Sequence, residues 1–220
     1  MNKVQCFYLI AVAMFTLTSC TEKHSTLVSK RPNVIIILTD DQGWGDLSMN
    51  GNTNLSTPNI DNIAKSGASF QNFYVNAVCS PTRAEFLTGR YSFRSGIYST
   101  GGGGERMDVD ETTIAEVFKE AGYKTALSGK WHLGMSKEAF LPINRGFDST
   151  YGHLMGGIGY FDHGFSGRLD WHRNGEVLYE DGYSTTLIAN EAVKIIENKD
   201  ASVPLFLYVA FNAPHTPIQA

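Results

Sequence analysis

Four small groups of residues in this chain have types and spacings that could do chemistry. Asp40 and Asp41 are adjacent, and adjacent carboxylates repel unless a cation lies between them. Their hard oxygens suit calcium or magnesium; the competing reading is a solvated loop with a helix cap. Cys79 heads the string Cys79-Ser80-Pro81-Thr82-Arg83. Ser80 can cap a helix there, Pro81 suits the first turn, and Gly89 supplies a stop. Cys79 would then stand at the positive end of a helix, aimed at an anion. Arg83, four residues on, falls on the same helical face. Lys130 and His132, two apart on an extended segment, point the same way. His215 lies in Ala213-Pro214-His215-Thr216-Pro217, where it could exchange a proton near neutral pH or simply cap a turn.

The elements that must position these groups alternate between strands and helices. Asn33 to Leu38 is a continuous β-branched run that fits a central strand of a parallel sheet, covered on both faces. Asp40 and Asp41 follow it, at the carboxyl end where α/β sheets place their sites. Thr57 to Gly67 reads as a short helix with a cap, a first-turn proline and a glycine stop. Ser69 to Val75 reads as a strand leading to Cys79. Gly101 to Gly104 lacks a following lysine at phosphate-loop spacing and is expected to be a flexible surface loop. Thr113-Ile114-Ala115-Glu116 is a capping box for a helix ending near Gly122. Lys124 to Leu127 reads as a strand feeding Lys130. Arg173-Asn174-Gly175-Glu176 signals a hairpin, Thr185 to Asn198 a helix, and Pro204 to Ala210 a strand. Trp44 and Trp131 are expected to be packing residues rather than sugar platforms. Together these argue an α/β sandwich with helices flanking a sheet, and the order alone also allows a Rossmann-like sheet.

Charge and targeting signals narrow the class. A formal charge of −4 leaves no basic footprint for nucleic acid. Residues 1–20 have a short basic start, an apolar run from Phe7 to Leu17, and the ending Leu17-Thr18-Ser19-Cys20. The run is too short for a comfortable membrane span and reads as a signal peptide. Leu17 to Cys20 resembles a bacterial lipoprotein box, with cleavage before Cys20 and lipid attached to it. The expected destination is the periplasm, or a lipid anchor at the outer membrane or cell surface of a bacterium. Residues 21–31 form a polar tether. The three cysteines are Cys6, Cys20 and Cys79. With Cys6 removed and Cys20 lipidated, Cys79 has no intrachain partner, which marks it as a special thiol in an exported protein.

The combination of Cys79-Ser80-Pro81-Thr82-Arg83, Leu87-Thr88-Gly89-Arg90 and Gly129-Lys130-Trp131-His132-Leu133-Gly134 resembles the type I sulfatases. Asp40-Asp41-Gln42 and the segment around His215 support the resemblance, which runs from about Arg31 to the end of the chain. Gly146-Phe147-Asp148, Tyr151-Gly152 and Tyr160-Phe161-Asp162-His163 look most like the arylsulfatase B branch, which acts on sulfated amino sugars in glycans. The resemblance implies an alkaline-phosphatase-like sandwich with a mixed, largely parallel central sheet between helices. It implies that a maturation enzyme oxidises Cys79 to formylglycine, whose hydrate is the nucleophile. It implies calcium held by Asp40, Asp41 and the modified residue 79. Arg83 would orient the hydrate, Lys130 would touch both sulfate and hydrate, and His132 would hold or deprotonate the hydrate. His215 would bind substrate and protonate the leaving alcohol. His163 would line the sugar pocket or serve as a hydrogen-bonded loop histidine. A 4-sulfated galactosamine unit is the first substrate to expect.

In that family further metal ligands and a second lysine lie downstream of the segment matching Ala213 to Pro217. Residues 32–220 are therefore expected to be the N-terminal part of a catalytic domain, poorly active alone. Two aspartates and one oxygen at residue 79 fall short of the roughly six to eight oxygens that calcium prefers. Two other functions compete. One is a phosphonate or phosphodiester hydrolase of the same superfamily. The other is a non-catalytic, surface-anchored glycan-binding lipoprotein, which an unmodified Cys79 would favour.

Overall fold

A computed structural model describes residues 31–219. The signal peptide, the lipoprotein box with Cys20 and nearly all of the polar tether lie outside the described residues. A six-stranded sheet is the centre of the fold. Its strands are β1 (Val34–Leu38), β2 (Lys124–Lys130), β3 (Ser149–His153), β6 (His172–Arg173), β7 (Glu176–Val177) and β8 (Leu205–Ala210). A separate two-stranded sheet pairs β4 (Gly164–Phe165) with β5 (Arg168–Leu169). The helices are α1 (Pro58–Ser66), α2 (Cys79–Thr88), α3 (Ile114–Glu120) and α4 (Ser184–Glu197). The main sheet runs β1-β8-β2-β3-β6-β7, parallel through its first four strands and antiparallel at β6 and β7.

The apolar runs sort onto two faces by strand alternation. On one face, Phe206, Tyr208 and Ala210 of β8 pack with Leu127, Ala84 and Leu87 of α2, and Ala115 of α3. On the other, Leu205, Leu207 and Val209 meet Ile188 and Ala192 of α4, with Trp171 and Tyr151. β8 is buried along its whole length, as a strand covered on both faces should be. Among the described residues the run at Val34–Leu38, expected to be central, has a partner strand, β8, on one side only. Val34, Ile36 and Leu38 pack into the first core, while Ile35 and Ile37 are 45% and 59% exposed.

Several local signals act as anticipated. Thr113 caps α3, its hydroxyl accepting from Glu116 N–H while the Glu116 carboxylate accepts from Thr113 N–H. Gly89 ends α2 in the left-handed region at φ 66°. Asn174 and Gly175 turn the β6–β7 hairpin at φ 53° and 90°. Other segments depart from expectation. Residues 69–75 are irregular, with a turn at 71–72, rather than a strand; Phe70, Phe73 and Tyr74 are exposed, and among the described residues no strand pairs with them. Ser80 is not a cap: α2 already begins at Cys79 after extended Val78, and the Ser80 side chain is buried. β2 runs on to Lys130, beyond the apolar segment, because Gly129 lets it pass close to Ala210; a Cβ there would lie 1.9 Å from the Ala210 carbonyl oxygen. Trp131 is core, but Trp44 is 73% exposed.

Candidate active site

The carboxyl ends of β1 and β2 and the start of α2 converge. Asp40 follows β1 by two residues, and its N–H donates to Ala213 O at 3.0 Å. This bond ties the aspartate loop to the segment that carries His215. The Asp40 carboxylate is buried between two cations: Lys130 Nζ donates to Oδ2, and Arg83 Nη2 lies 3.5 Å from Oδ1. Arg83 Nη1 also donates to Tyr208 Oη at 3.0 Å and to Lys130 O at 3.3 Å. One carboxylate therefore faces two cations in a region closed to water. That excess positive charge suits an anion placed beside it. Burial works against the Arg83 charge, but Tyr208, Asp40 and Cys79 outweigh it and hold the guanidinium above its ordinary value. Burial, aided by Arg83, pulls the Lys130 ammonium below its ordinary value. Tyr208, also buried, is pushed up and stays a neutral phenol.

Cys79 occupies the first position of α2 and is half-buried. Its Sγ lies 3.2 Å from His132 Nδ1, and His132 Nε2 lies 3.1 Å from Thr100 O. A carbonyl can only accept, so Nε2 carries the proton and Nδ1 is left to accept from residue 79. Burial first, then Lys130, pushes the His132 imidazolium down to about 3, so the ring is neutral at pH 7. His132 reaches this place through a left-handed backbone at φ 55° two residues past the end of β2, so it does not share one extended segment with Lys130 as expected.

His215 stands at the mouth of the site. Its Nδ1 donates to Thr216 O, and its Nε2 lies 3.6 Å from Asp41 Oδ2. Asp41 is mostly exposed, with backbone in the left-handed region at φ 61°. Asp40, Asp41 and Cys79 border a cavity of about 490 Å³ between the β1 loop and α2. The donor chemistry, two carboxylates beside residue 79, fits a hard cation. Among the described residues no three His, Cys, Asp or Glu side chains are grouped to hold a metal, so the oxygens present do not complete a calcium shell.

A second cavity of about 1130 Å³ opens in front of Cys79, His132 and His215. The Gly101–Gly104 turn, expected to be a flexible surface loop, supplies part of its wall, and Thr100 beside it receives His132. His163 does not line this cavity. It is buried, its Nε2 donates to Gly182 O at 2.9 Å, and its ring stacks on Trp171 at 4.5 Å. That is the hydrogen-bonded loop histidine of the two readings, held away from any substrate by the packing of its ring.

The structure also adds residues that the sequence did not single out. Asp170, buried, accepts from Met155 N–H at 2.7 Å, from Leu154 N–H at 3.2 Å and from His172 Nε2 at 2.9 Å. The segment it holds presents Leu154 O to His132 N–H and Gly156 O to Lys130 Nζ. Gly156 must be glycine, because a Cβ would lie 2.4 Å from His132 Cε1. Asp170 is 38 residues from His132 and carries no motif, so only the folded backbone reveals the connection.

A cysteine at a helix N-terminus, hydrogen-bonded to a neutral histidine and backed by a buried Arg–Asp–Lys cluster at strand ends, defines an α/β site built to handle an anion. Known proteins make the class specific. The sulfatase family profile matches residues 32–220, and the chain belongs to that family. It is 35% identical over 207 residues to arylsulfatase J of Mus musculus, covering 89% of this chain and 34% of that protein. It is 35% identical over 213 residues to N-acetylgalactosamine-6-sulfatase of Mus musculus, covering 86% of this chain and 41% of that protein. Among solved structures, that of Ps i-CgsB in complex with k-i-k-neocarrahexaose superposes with a TM-score of 0.76 at 37% identity. The match covers 86% of this chain and 47% of that one. The fold is thus the alkaline-phosphatase-like architecture of the sulfatases. The chain spans about a third to a half of the length of these relatives.

Proposed function

We propose that this protein hydrolyses sulfate esters of glycans, using residue 79 as the nucleophile after its conversion to formylglycine. The single observation that carries the reading is Cys79 at the head of α2, 3.2 Å from a neutral His132 and beside the buried Arg83–Asp40–Lys130 cluster. The relatives named for N-acetylgalactosamine sulfate and solved with a neocarrahexaose support a sulfated sugar within a glycan as substrate. Asp40 and Asp41 would hold calcium. When present, formylglycine would supply a geminal diol able both to take up and to release the sulfuryl group, and calcium would acidify the attacking hydroxyl and screen sulfate oxygens.

The chain's own residues divide the remaining work. The start of α2 directs N–H groups and positive potential at the sulfate. Lys130 and Arg83 supply the fixed charge that gathers its oxygens, and their burial makes that charge count for more than it would in water. His132 Nδ1 is free to accept the proton of the attacking group, because Thr100 fixes the tautomer. His215 protonates the departing alcohol from the wall of the same cavity, its ring aligned by Thr216 and facing Asp41. The balance is one ester and one water to one alcohol and one sulfate, with no change of oxidation state. The same proposal has the protein exported, matured by a formylglycine-generating enzyme and anchored through lipid on Cys20.

The test is release of inorganic sulfate from sulfated N-acetylgalactosamine and from carrageenan oligosaccharides by the longest form that the gene encodes. Aryl sulfate and aryl phosphate esters serve as a matched pair. Sulfate release that disappears in Cys79→Ala supports the proposal. Faster turnover of the phosphate ester, or sulfate release that survives Cys79→Ala, rejects it.

A further inference from the structure

The β4–β5 hairpin stands apart from the main sheet, with a fixed base and an exposed tip. His163 anchors the base: Gly182 and Trp171 hold its ring, its N–H donates to Gly159 O at 3.1 Å, and its carbonyl accepts from Asp170 N–H at 2.9 Å. Gly159 N–H donates back to Gly164 O at 2.9 Å. Ser166 and Gly167 make the turn at φ 50° and 77°. The tip, with Phe165 and Arg168, lines the same cavity as Cys79, His132 and His215.

The charges along that wall are informative. Among the described residues Arg168 is the single lysine or arginine that lines the cavity, and no carboxylate forms an ion pair with its guanidinium. The two carboxylates in the wall are already engaged. Asp162 Oδ1 accepts from Gly164 N–H at 3.0 Å, and Glu105 Oε2 accepts from Gly103 N–H at 2.9 Å. At about 1130 Å³ the cavity is larger than the roughly 300–1,000 Å³ that holds a drug-sized ligand, so it can accept more than one sugar ring.

We propose that the β4–β5 hairpin is a substrate-recognition arm and that Arg168 binds a second anionic group, a sulfate or a carboxylate, on the sugar next to the one being desulfated. The proposal rests on the sulfatase reading and deepens it, by making the preferred substrate a polyanionic oligosaccharide rather than an isolated monosulfated sugar. A guanidinium presents a planar fork of donors that matches either anion. Phe165 offers an apolar face against which a sugar ring can lie.

The experiment compares three ligands: monosulfated N-acetylgalactosamine, the same sugar joined to a hexuronate, and the same sugar joined to a sulfated galactose. Hydrolysis is measured with the longest form the gene encodes, and binding is measured by calorimetry in its Cys79→Ala variant. Arg168→Gln should lower the preference for a disaccharide over the monosaccharide roughly tenfold to a hundredfold, the loss expected for a hydrogen bond between charged groups. Arg168→Lys should retain part of the preference. A fall confined to the hexuronate or to the sulfated galactose identifies which anion is bound. An unchanged preference in both hydrolysis and binding overturns the proposal, as does an equal loss on all three ligands. Failure of the sulfatase reading looks different: wild-type protein releases no sulfate, while the Arg168-dependent binding preference persists.

Discussion

Replacing Asp40 by asparagine should destabilise the protein far more than a surface substitution. Asp40, Arg83 and Lys130 are 3%, 1% and 0% exposed, so the change leaves two buried cations without their carboxylate. Removing one partner of a buried ion pair costs about 3–5 kcal/mol. Two features favour the lower end. Arg83 keeps its bonds to Tyr208 Oη and Lys130 O, and Lys130, whose ammonium is already below its ordinary value, can shed its proton. A loss of about 3 kcal/mol corresponds to a fall in Tm of roughly 6–12 °C for a chain of this size. Thermal and urea unfolding in the presence of a chelator would measure it without a metal contribution. Adding Lys130→Met to Asp40→Asn should restore part of the loss, because the second stranded cation is then gone. The reasoning is refuted if Asp40→Asn alters stability by less than about 0.5 kcal/mol, the size of an ordinary surface change.

Three further outcomes derive from the same geometry. Asp170→Asn should lower stability by about 1–3 kcal/mol, because a buried N–H of Leu154 or Met155 loses its acceptor. It should also lower kcat for sulfate release more than it alters KM, since the Gly156 carbonyl shifts relative to Lys130; steady-state kinetics would show this. Gly156→Ala should sharply reduce turnover by displacing His132. Acid should destabilise the fold through His132 and His153, both pushed by burial down to about 3. Between the unfolded value near 6.5 and about 3, the unfolded chain takes up protons that the folded chain refuses. Their contribution is therefore intact above pH 6.5 and falls by roughly 1.4 kcal/mol per histidine per pH unit on the way down. Urea unfolding at pH 7 and pH 5 should show the drop, and His153→Gln should make it shallower.

The sequence carried the local elements well where a single residue type imposes the geometry. Gly89, the Thr113–Glu116 box and Asn174-Gly175 are such cases, and each lies where its backbone requirement predicts. Asp40, Cys79, Arg83, Lys130 and His132 stood out by residue type, and the fold brings them into one cluster. Long-range order was not legible. Nothing in Val34 to Leu38 says that β8 intervenes between this strand and β2, so that neighbour came only from the topology. Tyr208 reads as one more apolar strand residue, yet its hydroxyl accepts from Arg83 across 125 positions. His163 allowed two readings, a pocket residue or a hydrogen-bonded loop histidine, and sequence does not decide between them. The stack on Trp171 and the bond to Gly182 place it in the packed interior.

The most direct test of the central claim is the mass of the peptide containing residue 79, taken from protein coexpressed with a formylglycine-generating enzyme. The account predicts the mass of the aldehyde or its hydrate in place of cysteine. An unmodified thiol at Cys79, with a control substrate efficiently converted by the same enzyme, would contradict it.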